Sequence, residues 1–153
     1  MPARGRLFYM PTIAIRNAYS PEELEDMNQL VTALRDDSGK SKGKARDLKT
    51  MLADPNTVLV AARDNKHIIG IGTLYSIQKL GMRVGYVEDI VVKQEYRGAG
   101  LGRKILEKLI AVGRKKRLDS IRLSSKPSRI AANKLYQRLG FKKRDTNAYK
   151  LEL

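Results

Sequence analysis

Residues 86–103 read Tyr86-Val-Glu-Asp-Ile-Val-Val-Lys-Gln-Glu-Tyr-Arg-Gly-Ala-Gly-Leu-Gly-Arg103. Its first seven residues are rich in β-branched side chains and predict a strand. Gly98, Gly100 and Gly102 then open a helix in which Ile105, Leu106, Leu109, Ile110 and Val112 keep helical spacing. Glycine lets the backbone approach a ligand closely, and the first free N–H groups of a helix, reinforced by its dipole, favour an anion. Strand, glycine turn and helix together point to a phosphate site, although the same glycines also make an ordinary strand-to-helix turn. Two common phosphate motifs do not fit. A P-loop needs Lys-Ser/Thr after its last glycine, and Gly102 is followed by Arg103-Lys104-Ile105. A dinucleotide fingerprint needs a third glycine where Arg103 stands, directly after its strand.

Outward from this segment, residues 12–16 (TIAIR) predict a first strand. Ser20 caps a first helix, with Pro21 at its first position, acidic residues near its N-terminus, and Leu24, Met27, Leu30, Val31 and Leu34 as its buried stripe. A lysine-rich stretch leads to a short second helix ending near Leu52. Residues 57–63, 67–78 and 84–92 predict three strands joined by short turns, hence antiparallel hairpins. After the glycine turn and its helix, residues 118–124 predict a buried strand. Ser128 caps a last helix closed by Gly140, and residues 141–144 and 148–153 predict a final hairpin across Asp145-Thr146-Asn147. The reading is one mixed α/β domain over residues 1–153, without repeats or linkers.

The composition narrows the chemistry. Across 153 residues there is one His and no Cys, which removes disulfides, thiolate metal sites and a cysteine nucleophile, and leaves no multi-histidine metal site. No metal is expected. No apolar run is long enough to span a bilayer, and the N-terminus lacks a convincing cleavage site, so a cytoplasmic location without membrane association is expected. The net charge is +15. Residues 1–92 hold 13 basic and 11 acidic side chains, and residues 93–153 hold 18 and 5, so nearly all the excess lies in the last two-fifths.

Arg97-Gly98-Ala99-Gly100-Leu101-Gly102 matches the Arg/Gln-x-x-Gly-x-Gly/Ala signature of the GNAT superfamily of N-acetyltransferases. The chain resembles that superfamily over nearly its whole length: VEDIVV (87–92) is similar to its fourth strand, and AANKLYQRLGF (131–141) to its last helix and following Gly-Phe. An Asn often stands seven residues before the helix tyrosine in the family; here that position is Arg129. The resemblance implies an α/β fold with a central, mostly antiparallel mixed sheet of about seven strands, splayed at the fourth and fifth and flanked by about four helices. It implies acetyl-coenzyme A as co-substrate. The pyrophosphate would be held by Arg97, Gly98, Ala99, Gly100, Leu101, Gly102 and Arg103, with Lys104 adding charge. The pantetheine would pair along Ile90, Val91 and Val92, a backbone N–H of that strand would face the thioester oxygen, and Arg129 and Asn133 would add contacts.

The same resemblance implies direct transfer to a primary amine, with Glu88 as base and Tyr136 as the acid that protonates the leaving thiolate. Strand alternation puts Glu88 on one face with Ile90 and Val92 and turns Asp89 the other way. By the family's acceptor side, the substrate is expected near Asp36, Asp37, Tyr75, Tyr86 and Tyr149. The two aspartates suit a second cationic group, while Lys40, Lys42, Lys44, Arg46 and Lys49 suit an acidic or phosphorylated amine. The expected partner is a small-molecule or peptide amine, and the chain is a monomer or homodimer. The alternative is a basic nucleic-acid- or ribosome-associated module on this fold without catalysis, drawn from the charge of residues 93–153.

Overall fold

A computed structural model describes residues 10–35 and 42–153. They form two compact units, within residues 1–123 and 124–153. The first holds β1 (Thr12–Ile15), α1 (Pro21–Arg35), α2 (Ala45–Ala53), β2 (Thr57–Asp64), β3 (His67–Lys79), β4 (Met82–Val92), a single 3-10 turn at Gln94–Tyr96, α3 (Leu101–Lys115) and β5 (Ser120–Arg122). The second holds α4 (Ile130–Arg138). No helix among the described residues is long and apolar enough to cross a membrane.

The sheet runs β1-β2-β3-β4-β5, antiparallel through β4, with β5 parallel to β4. It is mixed, as expected, but has five strands among the described residues, not seven. Residues 141–153 form no strand, and all but Phe141 are exposed. Lys142, Lys143 and Arg144 repel one another, the turn 145–147 lacks glycine, and a lone hairpin is marginal in water. The β4–β5 ladder covers only Val84–Ser120, Gly85–Ile121 and Tyr86–Arg122, and β5 is shorter than the expected 118–124.

One face of the sheet packs Ile71 and Val91 against Met27 and Leu30 of α1, with Leu34, Leu48 and Leu52 completing the cluster. The other face receives α3 through Leu101, Ile105, Leu106 and Leu109. Gly72 allows this close approach: a Cβ there would lie 2.5 Å from Ile90 Cδ1 and 2.8 Å from Ile105 Cγ2.

The start of α1 follows its sequence signal. Ser20 Oγ accepts from the Glu23 N–H at 3.1 Å, and Glu23 Oε2 accepts from the Ser20 N–H at 2.8 Å, a reciprocal capping box. Glu23 is 2% exposed and tolerates it because Arg16 Nη1 donates to Oε1 at 2.5 Å. Arg63 Nε lies 2.9 Å from the same oxygen as an ion pair, out of line for a hydrogen bond. This carboxylate ties α1 to the strand edge formed by β1 and β2.

At α4 the cap differs from expectation. The helix starts at Ile130, so Arg129 and not Ser128 holds the cap position, and no side chain caps it. Asn133 Nδ2 instead donates to Lys126 O at 3.0 Å and pins the preceding loop. The far end closes as expected: Gly140 has φ 92°, and the Phe141 N–H reaches Tyr136 O at 3.0 Å.

Candidate active site

The central feature is an irregularity in β4. Ile71 pairs with Val91 and Thr73 with Glu88, so one residue of β3, Gly72, faces two of β4, Asp89 and Ile90. That is a β-bulge, and Asp89 takes a left-handed φ of 54° within it. The extra residue resets the alternation. Thr73 and Glu88 are paired on the face of Ile71, which carries α1. Beyond the bulge, Val91 is on that face, whereas Ile90 and Val92 lie against the α3 side, beside the positions of Gly72 and Gly70. The expected sharing of a face by Glu88, Ile90 and Val92 is therefore wrong: alternation holds only while the ladder is regular.

The bulge also gathers charge that alternation would have separated. Asp89 does not turn away; Arg35, the last residue of α1, donates from Nη2 to its Oδ2 at 2.8 Å and from Nε to its Oδ1 at 3.3 Å. Two parallel contacts fix both groups in one orientation. Burial, first, and the neighbouring Asp89 charge, second, push the Glu88 carboxyl above its usual range, while Arg35 pulls it back. Burial also pushes the Tyr75 phenol up, again with Asp89 and Glu88 raising and Arg35 lowering. Tyr75 is paired directly with Tyr86 across the β3–β4 ladder. Glu88, Asp89, Arg35, Tyr75 and Tyr86 thus gather on the α1 side of the sheet, with Asp89, Tyr75 and Tyr86 partly buried and Glu88 and Arg35 exposed at its rim. The sequence reading had no hint of Arg35, whose partner lies 54 residues away.

Where β4 ends, the Lys93 N–H donates to Ile69 O at 2.8 Å and Tyr96 Oη to Asp64 Oδ2 at 2.5 Å, holding the 3-10 turn against the β2–β3 hairpin. Arg97 folds back, its Nε donating to Val92 O at 3.0 Å. Gly98 and Gly100 have φ 82° and 79°, the left-handed region that favours glycine, and a Cβ on either would meet nothing within 4 Å. They serve the backbone path and are not crowded by neighbours. The first bond into α3 runs from the Lys104 N–H to Gly100 O at 3.1 Å, so the N–H groups of Leu101, Gly102 and Arg103 precede the ladder at the positive end of the dipole. Arg103 itself is paired with Glu107 at 2.8 Å. This donor set fits an anionic phosphate group, and hence the acetyl-coenzyme A that the sequence implies.

In the second unit, Tyr136 is the buried residue of α4, its ring meeting Phe141 edge-on at 6.1 Å. Burial raises its phenol pKa, and Arg129 opposes the shift by charge and by a hydrogen bond. Tyr149 is 90% exposed, with its hydroxyl 3.4 Å from Asn147 Nδ2. Asp36 and Asp37 lie outside the described residues. Among the described residues, no group of three or more His, Asp or Glu side chains is arranged to hold a metal ion.

A family model described as the acetyltransferase (GNAT) family matches residues 15–141. The chain belongs to that family. Its sequence is similar to the glucosamine 6-phosphate N-acetyltransferase of Trypanosoma brucei brucei, 37% identical over 62 residues, which is 40% of each chain. It is also similar to the thialysine N-epsilon-acetyltransferase of Bos taurus, 39% identical over 74 residues, covering 48% of this chain and 44% of that protein. The matches thus span under half of these relatives' own lengths. The fold is shared with a Trypanosoma brucei acetyltransferase crystal structure at a TM-score of 0.73 and 23% identity, over 94% of this chain and all of that one. In this GNAT chain the segments similar to the family are the glycine turn at residues 97–102, the strand at 87–92 and the last helix with its Gly-Phe at 131–141.

Proposed function

We propose that residues 1–153 act as one N-acetyltransferase domain that moves an acetyl group from acetyl-coenzyme A directly to a primary amine, in the cytoplasm, as a monomer or homodimer. The observation that carries this reading is the left-handed Gly98–Gly100 turn opening α3 beside a bulged β4 that bears a carboxyl of raised pKa. The bound co-substrate supplies an activated acetyl thioester. Backbone N–H groups of residues 98–103 hold its pyrophosphate, and the edge of β4 beyond Tyr86, where the β5 ladder has ended, offers Ile90, Val91 and Val92 to the pantetheine.

An alkyl ammonium has a pKa near about 10.4, so the amine must lose a proton before it attacks. Glu88 takes that proton, directly or through water. Its raised pKa makes it a stronger base than an ordinary carboxylate. Tyr136, kept protonated by burial, gives its Oη proton to the departing sulfur. Tyr75 and Tyr86 line the acceptor side with Glu88, and Tyr149, Asp36 and Asp37 are its remaining candidate contacts.

The test is acetyl-coenzyme A turnover over a panel of amines, amino sugars with and without phosphate, lysine analogues and peptides. The relatives make glucosamine 6-phosphate and thialysine the first two to try. At least one primary amine is expected to turn over, with Glu88→Gln and Tyr136→Phe each reducing kcat by roughly 100-fold or more. No turnover of any amine, together with no rise in melting temperature on adding coenzyme A, would overturn the reading.

A further inference from the structure

Residues 101–117 carry seven basic side chains and one acidic one, Glu107. Glu107 is taken by Arg103, and Lys116 Nζ donates to Pro55 O at 2.6 Å. Lys104, Lys108, Arg114, Lys115 and Arg117 remain, all exposed and forming no ion pair among the described residues. Lys104, Lys108, Ala111 and Lys115 are spaced by four, three and four residues, so they make one stripe along α3 with Arg114 at its flank. The stripe is about 16 Å long at about 1.5 Å per residue.

Two features of α3 and the turn that closes it run against stability. Like charges at Lys104 and Lys108 repel on one helix face, and Lys104 stands near the end where the dipole disfavours cations; dipole compensation explains only Arg114 and Lys115 in the last turn. At the other end, the Leu118 N–H closes the helix onto Gly113 O at 3.0 Å, and Arg117 occupies the left-handed position of that closure with φ 55°. Glycine is the unstrained choice there. A charged side chain is present at both ends where local physics prefers something else.

We propose that the exposed face of α3 is a docking surface for the phosphate backbone of a double-helical nucleic acid. A duplex carries roughly one negative charge per 1.7 Å of axis with both strands counted, so a length of about 16 Å holds about ten phosphates, about five on each strand. Other polyanion carriers fit less well. Ala111 is the only apolar residue on the stripe, which offers no aromatic or aliphatic anchor for a protein partner and nothing to insert into a bilayer. It also has no aromatic ring on which an unpaired base could stack. Contacts of this kind are to phosphate and carry no sequence preference. The inference stands apart from the acetyl-transfer reading, since apart from Lys104 these residues lie outside the glycine turn.

Fluorescence anisotropy of the full chain with labelled duplexes of about 20 base pairs, of unrelated sequences, tests it. Binding is expected to be indifferent to sequence, weakening roughly 100-fold between about 50 and about 200 mM salt for four phosphates neutralised. The variant K108Q/R114Q/K115Q is expected to bind at least about tenfold more weakly, its log–log salt slope shallower by about 0.9 for each phosphate no longer neutralised. Arg117→Gly is expected to weaken binding while its melting temperature holds or rises, which separates a missing charge from a damaged fold. Both variants retain wild-type acetyl transfer. Unchanged affinity and slope in both would overturn the proposal, as would tighter binding to polyglutamate or to phosphatidylserine vesicles than to duplex.

Discussion

Glu88 is held between opposing influences: burial and Asp89 raise its pKa, and Arg35 lowers it. The acid limb of a kcat/KM profile reports such a group in the free enzyme, so the two neighbours should move that limb in opposite directions. Arg35→Gln removes the lowering charge and shifts the limb to higher pH, with Arg35→Lys restoring part of it. Asp89→Asn removes a raising charge and frees Arg35, so the limb shifts to lower pH; Asn tolerates the left-handed conformation, and the bulge should survive. A profile that stays fixed in both variants would mean that Glu88 is not the group titrating. Stability gives an independent check. A native pKa above the unfolded 4.5 means that the native state holds the proton more tightly, so stability falls as pH rises through 4.5 and on through the raised value. Glu88→Gln should therefore raise the melting temperature at neutral pH and leave it unchanged well below 4.5, while losing activity. Glu88 was legible as a candidate base only through the family resemblance, because Asp89 beside it is an equal carboxylate in the same apolar strand. Its regulation was not, because the Arg35–Asp89 pair joins residues 54 apart and no local pattern records that.

Elements were legible where a local rule acts alone. The Ser20 capping box, the α3 stripe and the Gly140 closure follow from spacing and side-chain chemistry. The bulge at Asp89 was not legible, since one extra residue in a strand leaves the composition unchanged and shows only in the register with β3. The final hairpin failed for a related reason: alternation at Tyr149, Leu151 and Leu153 describes a strand only if something covers it, and these side chains are 83% exposed or more. The glycines of two elements serve different ends, and substitution should separate them. Gly72→Ala forces a methyl among Ile90, Ile105 and Leu109 at 2.5 to 3.1 Å, overpacking the contact of the sheet with α3. It should cost about 1–3 kcal/mol, or roughly 2–12 °C of melting temperature. Gly98→Ala meets open space and bears only the strain of its φ of 82°, about 1 kcal/mol. It should instead lose acetyl-coenzyme A affinity by roughly tenfold, as expected for one misplaced N–H to a charged oxygen. Calorimetry of ligand binding and of unfolding reads both quantities, and similar profiles for the two alanines would contradict the distinction.

At the scale of the whole molecule the +15 charge sets opposite responses to salt for the free and the liganded protein. Self-repulsion of a net charge destabilises a compact state, and raising sodium chloride from about 0.1 M to about 1 M shortens the Debye length from about 10 Å to about 3 Å. The free protein should accordingly melt at a higher temperature in high salt. Acetyl-coenzyme A binds only the folded state, so at about 100 times its Kd it adds about 2.7 kcal/mol, which is roughly 5–10 °C for a chain of this size. In the proposed binding mode its phosphates sit at the glycine turn, where the chain's net positive charge attracts them, and that attraction is screened by the same salt. At a fixed ligand concentration the increment should therefore shrink as the free-protein melting temperature climbs. Neither trend alone would be informative, because salt alters many proteins; their opposition is what the charge distribution requires. If both fell together, the basic residues would be stabilised by pairing within the fold and would not be available to an anionic ligand. If the increment held constant while the free protein gained stability, the glycine turn would be binding its phosphates through backbone N–H groups almost unaided by the surrounding charge.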